Sequence, residues 1–219
     1  MKNVLIIGGN RGIGFELCRQ YSQRGDHVIT TCRQSQGELS NISADVITDV
    51  DVSLSSGVSR LKEKLGDSRV DVLIHSAGIL SKESLEDMDF GRIQRQFEVN
   101  TLGPLRVVHA LQDNLGKGAK IGIMSSRMGS IADNGSGGSY GYRISKAGAN
   151  ALGVSLARDL KDREITVTIL HPGFVATEMT RGNGIDPGDA AKGIVDRIDA
   201  ASLKDSGTFW HAEGYELPW

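Results

Sequence analysis

Residues 4–14 constrain this chain more than any other stretch. Val4-Leu5-Ile6-Ile7 is an unbroken apolar run, and Gly8-Gly9-Asn10-Arg11-Gly12-Ile13-Gly14 follows at once. A run without polar alternation suits a strand buried on both faces of a parallel sheet. Ile13, Leu17 and Tyr21 then recur at intervals of four, with Cys18 beside them and Gly25 as a stop, which predicts an amphipathic helix. Strand, glycine-rich turn and helix form the setting in which a dinucleotide pyrophosphate is held. Glycines let the backbone come close, and the helix N-terminus offers free N–H groups and the positive end of its dipole. The candidate cofactor contacts are Gly8, Asn10, Arg11, Gly12, Ile13 and Gly14. A tight strand-to-helix turn without a ligand would use the same glycines, so they alone leave both readings open.

The rest of the chain repeats the alternation. Strands are predicted at 27–31, 46–50, 70–74, 120–124 and 165–170, and a seventh at 207–210. The segment 34–45 is polar and reads as loop or short helix. Ser53 is a candidate N-cap for a helix through Val58, Leu61 and Leu65. A long apolar face from Phe90 to about Leu115 should bend at Gly103-Pro104. The glycine- and serine-rich stretch 129–141 reads as an active-site loop. A helix from Tyr140 to Leu160 follows, small-faced in its first half, and a last helix spans 190–198. Alternating strands and helices with no internal repeat or boundary predict one α/β domain over 1–219. It is a Rossmann-type doubly wound parallel sheet of about seven strands.

Composition narrows the function classes. A net charge of −2 over 219 residues argues against a polyanion-binding surface. There is no apolar run of membrane-spanning length and no signal-peptide pattern at the start. Cys18 and Cys32 are too few for a disulfide framework and lack metal-ligand spacing, so no metal is expected. The expected setting is cytoplasmic, with neither nucleic acid nor membrane as a partner.

Tyr142 and Lys146 are the candidates for acid–base chemistry. Four positions apart, they share one helix face. A cation about 4–6 Å from a phenol lowers its pKa and makes it a usable acid or base. An isolated Tyr-x-x-x-Lys is usually an ordinary surface pair; here a cofactor-type turn precedes it. Tyr140 is the nearby rival, but Ile144 stands four residues beyond it.

With these motifs in order, the chain resembles the short-chain dehydrogenase/reductase family, classical branch. The turn Ile7-Gly8-Gly9-Asn10-Arg11-Gly12-Ile13-Gly14 stands where the family has Thr-Gly-x-x-x-Gly-x-Gly, and Tyr142 to Lys146 stands for its Tyr-x-x-x-Lys. The finer likeness, in Arg11–Gly14, the Tyr-Arg-x-Ser-Lys helix and Leu217-Pro218-Trp219, is to the carbonyl-reductase group that includes C-factor and Sniffer. The resemblance implies a catalytic set of Asn100, Ser126, Tyr142 and Lys146. Tyr142 would be the proton donor, Ser126 would hold the substrate oxygen, and Asn100 would hold a water linking Lys146 to solvent. Lys146 would also bond the nicotinamide ribose. Ser126, before Arg127-Met128-Gly129, fits the family's serine better than Ser125. The resemblance further implies cofactor contacts at Asp51 and Val52 (adenine), Ala77 and Gly78 (close approach), Asn100, Tyr142, Pro172, Gly173, and Val175 and Thr177 (carboxamide). Asp51 is also readable, almost as well, as a simple helix cap. Two departures stand out: Ile7 replaces a threonine whose side chain would steady the turn, and His75-Ser76 replaces Asn-Asn.

Cofactor choice is read from the end of the second strand. NAD-preferring sites place an acid about 20 residues past the glycine turn, on the ribose hydroxyls. Here that position reads Thr31-Cys32-Arg33. Arg33, with Arg11 opposite, is placed to fork onto a 2′-phosphate, so NADP(H) is expected. The expected function is an NADP-dependent oxidoreductase moving hydride between nicotinamide and a small carbonyl or alcohol. The rival is a nucleotide-binding signalling protein of C-factor type with little turnover. The small-faced helix leaves a homodimer or homotetramer open.

Overall fold

The computed structural model describes residues 1–34 and 37–219. Seven strands form one sheet: β1 (Asn3–Ile7), β2 (His27–Thr31), β3 (Asp45–Ile47), β4 (Val70–His75), β5 (Leu115–Met124), β6 (Thr166–His171) and β7 (Phe209–His211). Their order is β3-β2-β1-β4-β5-β6-β7, and every pairing is parallel. The chain reverses direction across the sheet between β1 and β4. Ligands of such sheets bind in the crevice beyond the strand ends at that switch point.

Why β1 is apolar throughout is visible in its packing. Leu5 and Ile7 face a layer built with α2 (Ser55–Leu65), α4 (Gly103–Ala110) and α5 (Tyr140–Asp159). Val4 and Ile6 face the opposite layer, with Leu17 and Tyr21 of α1 (Gly12–Gln23) and Ala191 and Ile194 of α6 (Pro187–Ala200). Successive side chains of a strand point to opposite faces, so a strand covered on both sides has no polar position to spare.

Several boundaries move, each for a local reason. The third strand ends at Ile47 rather than Val50, because Asp49 takes φ +61°, which breaks the extended run. Ser53 does not cap the next helix: the N-cap is Leu54, and the Ser53 hydroxyl donates to Asp51 instead. The 90–115 segment is α3 (Phe90–Phe97), a π-helical turn (Glu98–Leu102) and α4. The irregularity thus falls before Gly103-Pro104, not on it. Pro104 occupies the first turn of α4, where a missing N–H costs nothing. The segment 34–45 contains a 3₁₀ turn at Gly37–Asn41; Ser35 and Gln36 of that segment lie outside the described residues. The last helix begins at Pro187, with Asp186 as its N-cap, 2.7 Å from the Gly188 N–H. Two of the small residues of α5 serve the chain's own packing. A Cβ on Gly153 would stand 2.4 Å from Ile169, and one on Gly148 would stand 2.9 Å from Thr101.

Candidate active site

The glycine turn sits at the switch point. Gly8 has φ +86°, and a Cβ on Gly14 would stand 2.1 Å from the Gly8 carbonyl oxygen, so a side chain at Gly14 is excluded. The carbonyl of Ile7 accepts from both Ser76 N and Ala77 N, at 3.0 and 2.9 Å, joining the ends of β1 and β4. The threonine missing at position 7 has a replacement: Thr31 Oγ1, from β2, accepts the Gly8 N–H at 3.1 Å. Its signal in the sequence is a threonine at the tip of the neighbouring strand, paired with Ile7 in register. At the start of α1 the N-cap Arg11 is extended and makes no side-chain cap, which leaves the first-turn N–H groups facing the crevice mouth. Ile13 packs from α1 onto the core. These features fit a dinucleotide pyrophosphate.

Around the turn stand the other candidates. Arg33 is exposed just beyond β2, without an ion pair to any described residue. Arg11 instead pairs with Glu178, a partner the sequence reading missed; nothing in the spacing of residues 167 positions apart would have shown it. Asp51 accepts from Ser53 and from Arg95 at 2.9 Å, which holds its carboxyl below the usual carboxylate range despite partial burial. Val52 is buried under Gly103. A Cβ on Gly12 would stand 3.2 Å from Thr177, and Thr177 and Thr180 form a reciprocal capping box. Val175 bridges to Ile185, and Gly173 (φ +92°) carries the chain from Pro172 past His211.

Ser126, Tyr142 and Lys146 converge at the ends of β5 and on α5. Ser126 lies close enough to the Tyr142 phenol to favour its ionised form, and its hydroxyl accepts from Met128 N. Ser125 turns the other way, its hydroxyl donating to Asn150 Oδ1 at 2.5 Å. Lys146 is 4% exposed, lies 5.7 Å from the Tyr142 ring centre, and donates to the Met124 carbonyl at 2.8 Å. Burial pushes the ammonium down to about 8. Burial also pushes the Tyr142 phenol up to about 12, with Ser126 pulling against it. The net shift of the phenol is therefore upward in this geometry, set by burial. The Lys146 Nζ is directed at a backbone carbonyl, and loss of water dominates the phenol. Asn100 lies in the π-helical turn, where its amide donates to the Ile79 carbonyl and Ser145 and its oxygen accepts from Ile79 N. A Cβ on Gly78 would stand 3.3 Å from Asn100 Oδ1 and 3.6 Å from Lys146 Nζ, so Gly78 faces both. Its neighbour Ala77 packs within 3.0 Å of where a Gly8 Cβ would be. His171 packs edge-on against His211 at 4.9 Å and its Nδ1 is buried without a partner among the described residues. Among these residues no cluster of metal-ligating side chains occurs.

The two serines have opposite surroundings, which gives a direct test. Ser126→Ala is expected to lower kcat by about 10²–10³-fold, the worth of a preorganised donor to a developing oxyanion. Ser125→Ala is expected to leave kcat within about threefold and to cost roughly 1–2 kcal/mol of stability, because it strands Asn150 in the core. Steady-state kinetics and thermal melts of both variants check this; equal kinetic losses would reject the choice of Ser126.

A parallel sheet with a glycine-rich turn at its switch point, and a tyrosine and lysine on the helix after β5, defines a dinucleotide-dependent oxidoreductase class. The chain matches the short chain dehydrogenase family over residues 2–187 and belongs to it. It is 39% identical to 1-hydroxy-2-glutathionyl-2-methyl-3-butene dehydrogenase of Rhodococcus sp. (strain AD45) over 226 residues, covering all of both chains. It is 40% identical to C-signal of Myxococcus xanthus over 154 residues, 68% of this chain and 93% of that protein. A carbonyl reductase from Pseudomonas aeruginosa PAO1, solved in complex with NADP, superposes with a TM-score of 0.87 at 31% identity, covering all of both chains. The finer likeness to the carbonyl-reductase group stands with these matches. No described helix is long and apolar enough to cross a membrane.

Proposed function

We propose that this oxidoreductase is NADPH-dependent and interconverts a carbonyl and an alcohol. The observation that carries the reading is the convergence of Ser126, Tyr142 and Lys146 beside the glycine turn. The nicotinamide, when bound, supplies or accepts the hydride. The chain's own residues do the rest. Ser126 holds the substrate oxygen, and Tyr142, protonated well past neutrality, donates the proton to it. Lys146, cationic below about pH 8, bonds the ribose and supports the phenolate left behind. Asn100, joined to Ser145 and facing Gly78, fixes the floor on which Lys146 rests.

The NADPH preference rests on Arg33. It stands free of carboxylates at the tip of β2, and Asp49, the acid whose charge reaches the neighbouring Cys32, is turned to Arg60 at 3.4 Å. A 2′-phosphate would also draw Arg11, now held by Glu178. The expected result is that wild type favours NADPH over NADH by at least about tenfold in kcat/KM. Arg33→Ala should lose most of that preference through weaker NADPH binding. A wild-type preference for NADH, or a preference untouched by the substitution, would overturn the assignment.

The match to C-signal favours a second reading, a dinucleotide-binding signalling protein with little turnover. NADPH oxidation with a panel of aldehydes, ketones and quinones separates the two. The Rhodococcus relative's name adds a glutathionyl alcohol to the panel, run in the oxidative direction. Turnover of any member supports the enzyme reading; dinucleotide binding with no turnover across the panel supports the other.

A further inference from the structure

The loop after β4 contains a buried acid that takes no part in the chemistry above. Glu83 is 3% exposed and makes no salt bridge among the described residues. Oε1 accepts from the Ser81 hydroxyl and from Gln96 Nε2 at 3.1 Å; Oε2 accepts the Gly141 N–H at 3.1 Å. Its backbone carbonyl accepts the Ser139 N–H at 2.9 Å. Gln96, on α3 and 1% exposed, accepts the Ser81 N–H with Oε1 at 2.9 Å. A side chain on Gly141 would stand 2.3 Å from Gln96 Nε2, so the contact requires glycine there.

Ser139, the N-cap of α5, has φ +48° and makes no side-chain cap. The first-turn N–H groups of that helix need acceptors, and Glu83 supplies two from a distant loop. A carboxylate is also favoured at the positive end of a helix dipole. Gly141 is the residue before Tyr142. We propose that Glu83 is a positioning residue for catalysis: with Gln96 it caps the catalytic helix from outside and fixes where the Tyr142 hydroxyl stands. This rests on the oxidoreductase reading of the site.

The network has a fixed polarity. In Glu83→Gln, every amide orientation sets a donor against a donor, at Gln96, at Gly141 N or, if Gln96 flips, at Ser81 N. The swap E83Q/Q96E removes the conflict. The carboxylate then at position 96 accepts from Ser81 N and from the amide nitrogen introduced at position 83. The amide oxygen at position 83 accepts Gly141 N, and the half-exposed Ser81 hydroxyl turns to accept. Misplacing a reacting group by about 1 Å costs on the order of 10²-fold. Glu83→Gln should therefore lower kcat about 10- to 100-fold, with the NADPH dissociation constant unchanged within about twofold. Amide exchange over 140–144 should quicken. The swap should restore kcat to within about threefold and restore the protection. A single variant with wild-type kcat, a loss confined to KM for NADPH, or a folded swap that stays as slow as the single variant would overturn the proposal. If Glu83→Gln does not fold, the swap carries the test by itself: wild-type-like kcat supports the proposal and a folded, inactive swap rejects it. Should the wild type turn over no carbonyl, the oxidoreductase reading fails, and amide exchange at 140–144 still decides whether Glu83 holds the helix.

Discussion

Replacing Tyr142 by phenylalanine is expected to abolish turnover while leaving NADPH affinity near wild type. The ring is 7% exposed and packs in the wall of the site, so phenylalanine keeps the packing and loses only the hydroxyl. That hydroxyl meets Ser126 and has no other described partner, so its removal strands no buried group in the core. A positioned general acid is worth about 10²–10⁴ in rate. Retention of more than a few per cent of kcat would mean that another group, with Ser126 or water the first suspects, delivers the proton. The direction of the phenol's shift adds a second readout. A tyrosine held at about 12 is protonated throughout the physiological range, so reduction should not fall at neutral pH for want of a proton. The reverse reaction needs the phenolate and should climb with pH up to about 8, above which loss of the Lys146 ammonium opposes the rise.

Lys146→Met is expected to remove at least about 10³ of kcat and, at the same time, not to lower the melting temperature. The ammonium is buried with one backbone carbonyl and no carboxylate. Its pKa falls from 10.5 in the unfolded chain to about 8 in the folded one. Between those values the unfolded chain binds more protons, so stability rises with pH across that window. Below pH 8 both states hold the proton and the full penalty is present. At 1.36 kcal/mol per unit, that penalty is about 3 kcal/mol. Methionine fills most of the same volume without the charge, so its gain offsets the lost hydrogen bond. In the role proposed for it, Lys146 trades stability for activity, as active-site residues commonly do. A melt lowered by several degrees would show that the lysine is structural first. With the wild type, the reduction rate should hold up to about pH 8 and fall above it as the ammonium deprotonates.

Much of this was legible because it is local. The apolar run 4–7, the turn 8–14 and the Tyr142–Lys146 spacing each lie within one element or its adjoining turn, and propensity and periodicity speak at that range. What the sequence misplaced depends on distant partners. Ser53 is drawn off its cap by Asp51 and Arg95. The 98–102 turn becomes π-helical where Asn100 and Thr101 bond Ile79 and Ser145 rather than their own helix. The sign of the Tyr142 shift follows from burial, which a four-residue spacing does not encode. The roles of Thr31, Glu83 and Gln96 are hydrogen bonds across the fold, which no local pattern encodes.

The place of β1 in the sheet has a consequence for how the protein is made. β1 is made before the other strands of the sheet, yet one of its two neighbours is β4, which begins at Val70. The Gly8–Ala77 contact and the paired amides on the Ile7 carbonyl cannot exist until that long loop has closed. Closing such loops before any contact rewards them makes parallel sheets slow to form. A nascent chain ending at residue 69 therefore carries the complete glycine motif and no pyrophosphate cradle. A dinucleotide held across the β1–β4 seam binds only chains that have finished this step, and so draws the equilibrium toward them by mass action. With the proposed cofactor, the supply of dinucleotide would then be part of the protein's folding yield.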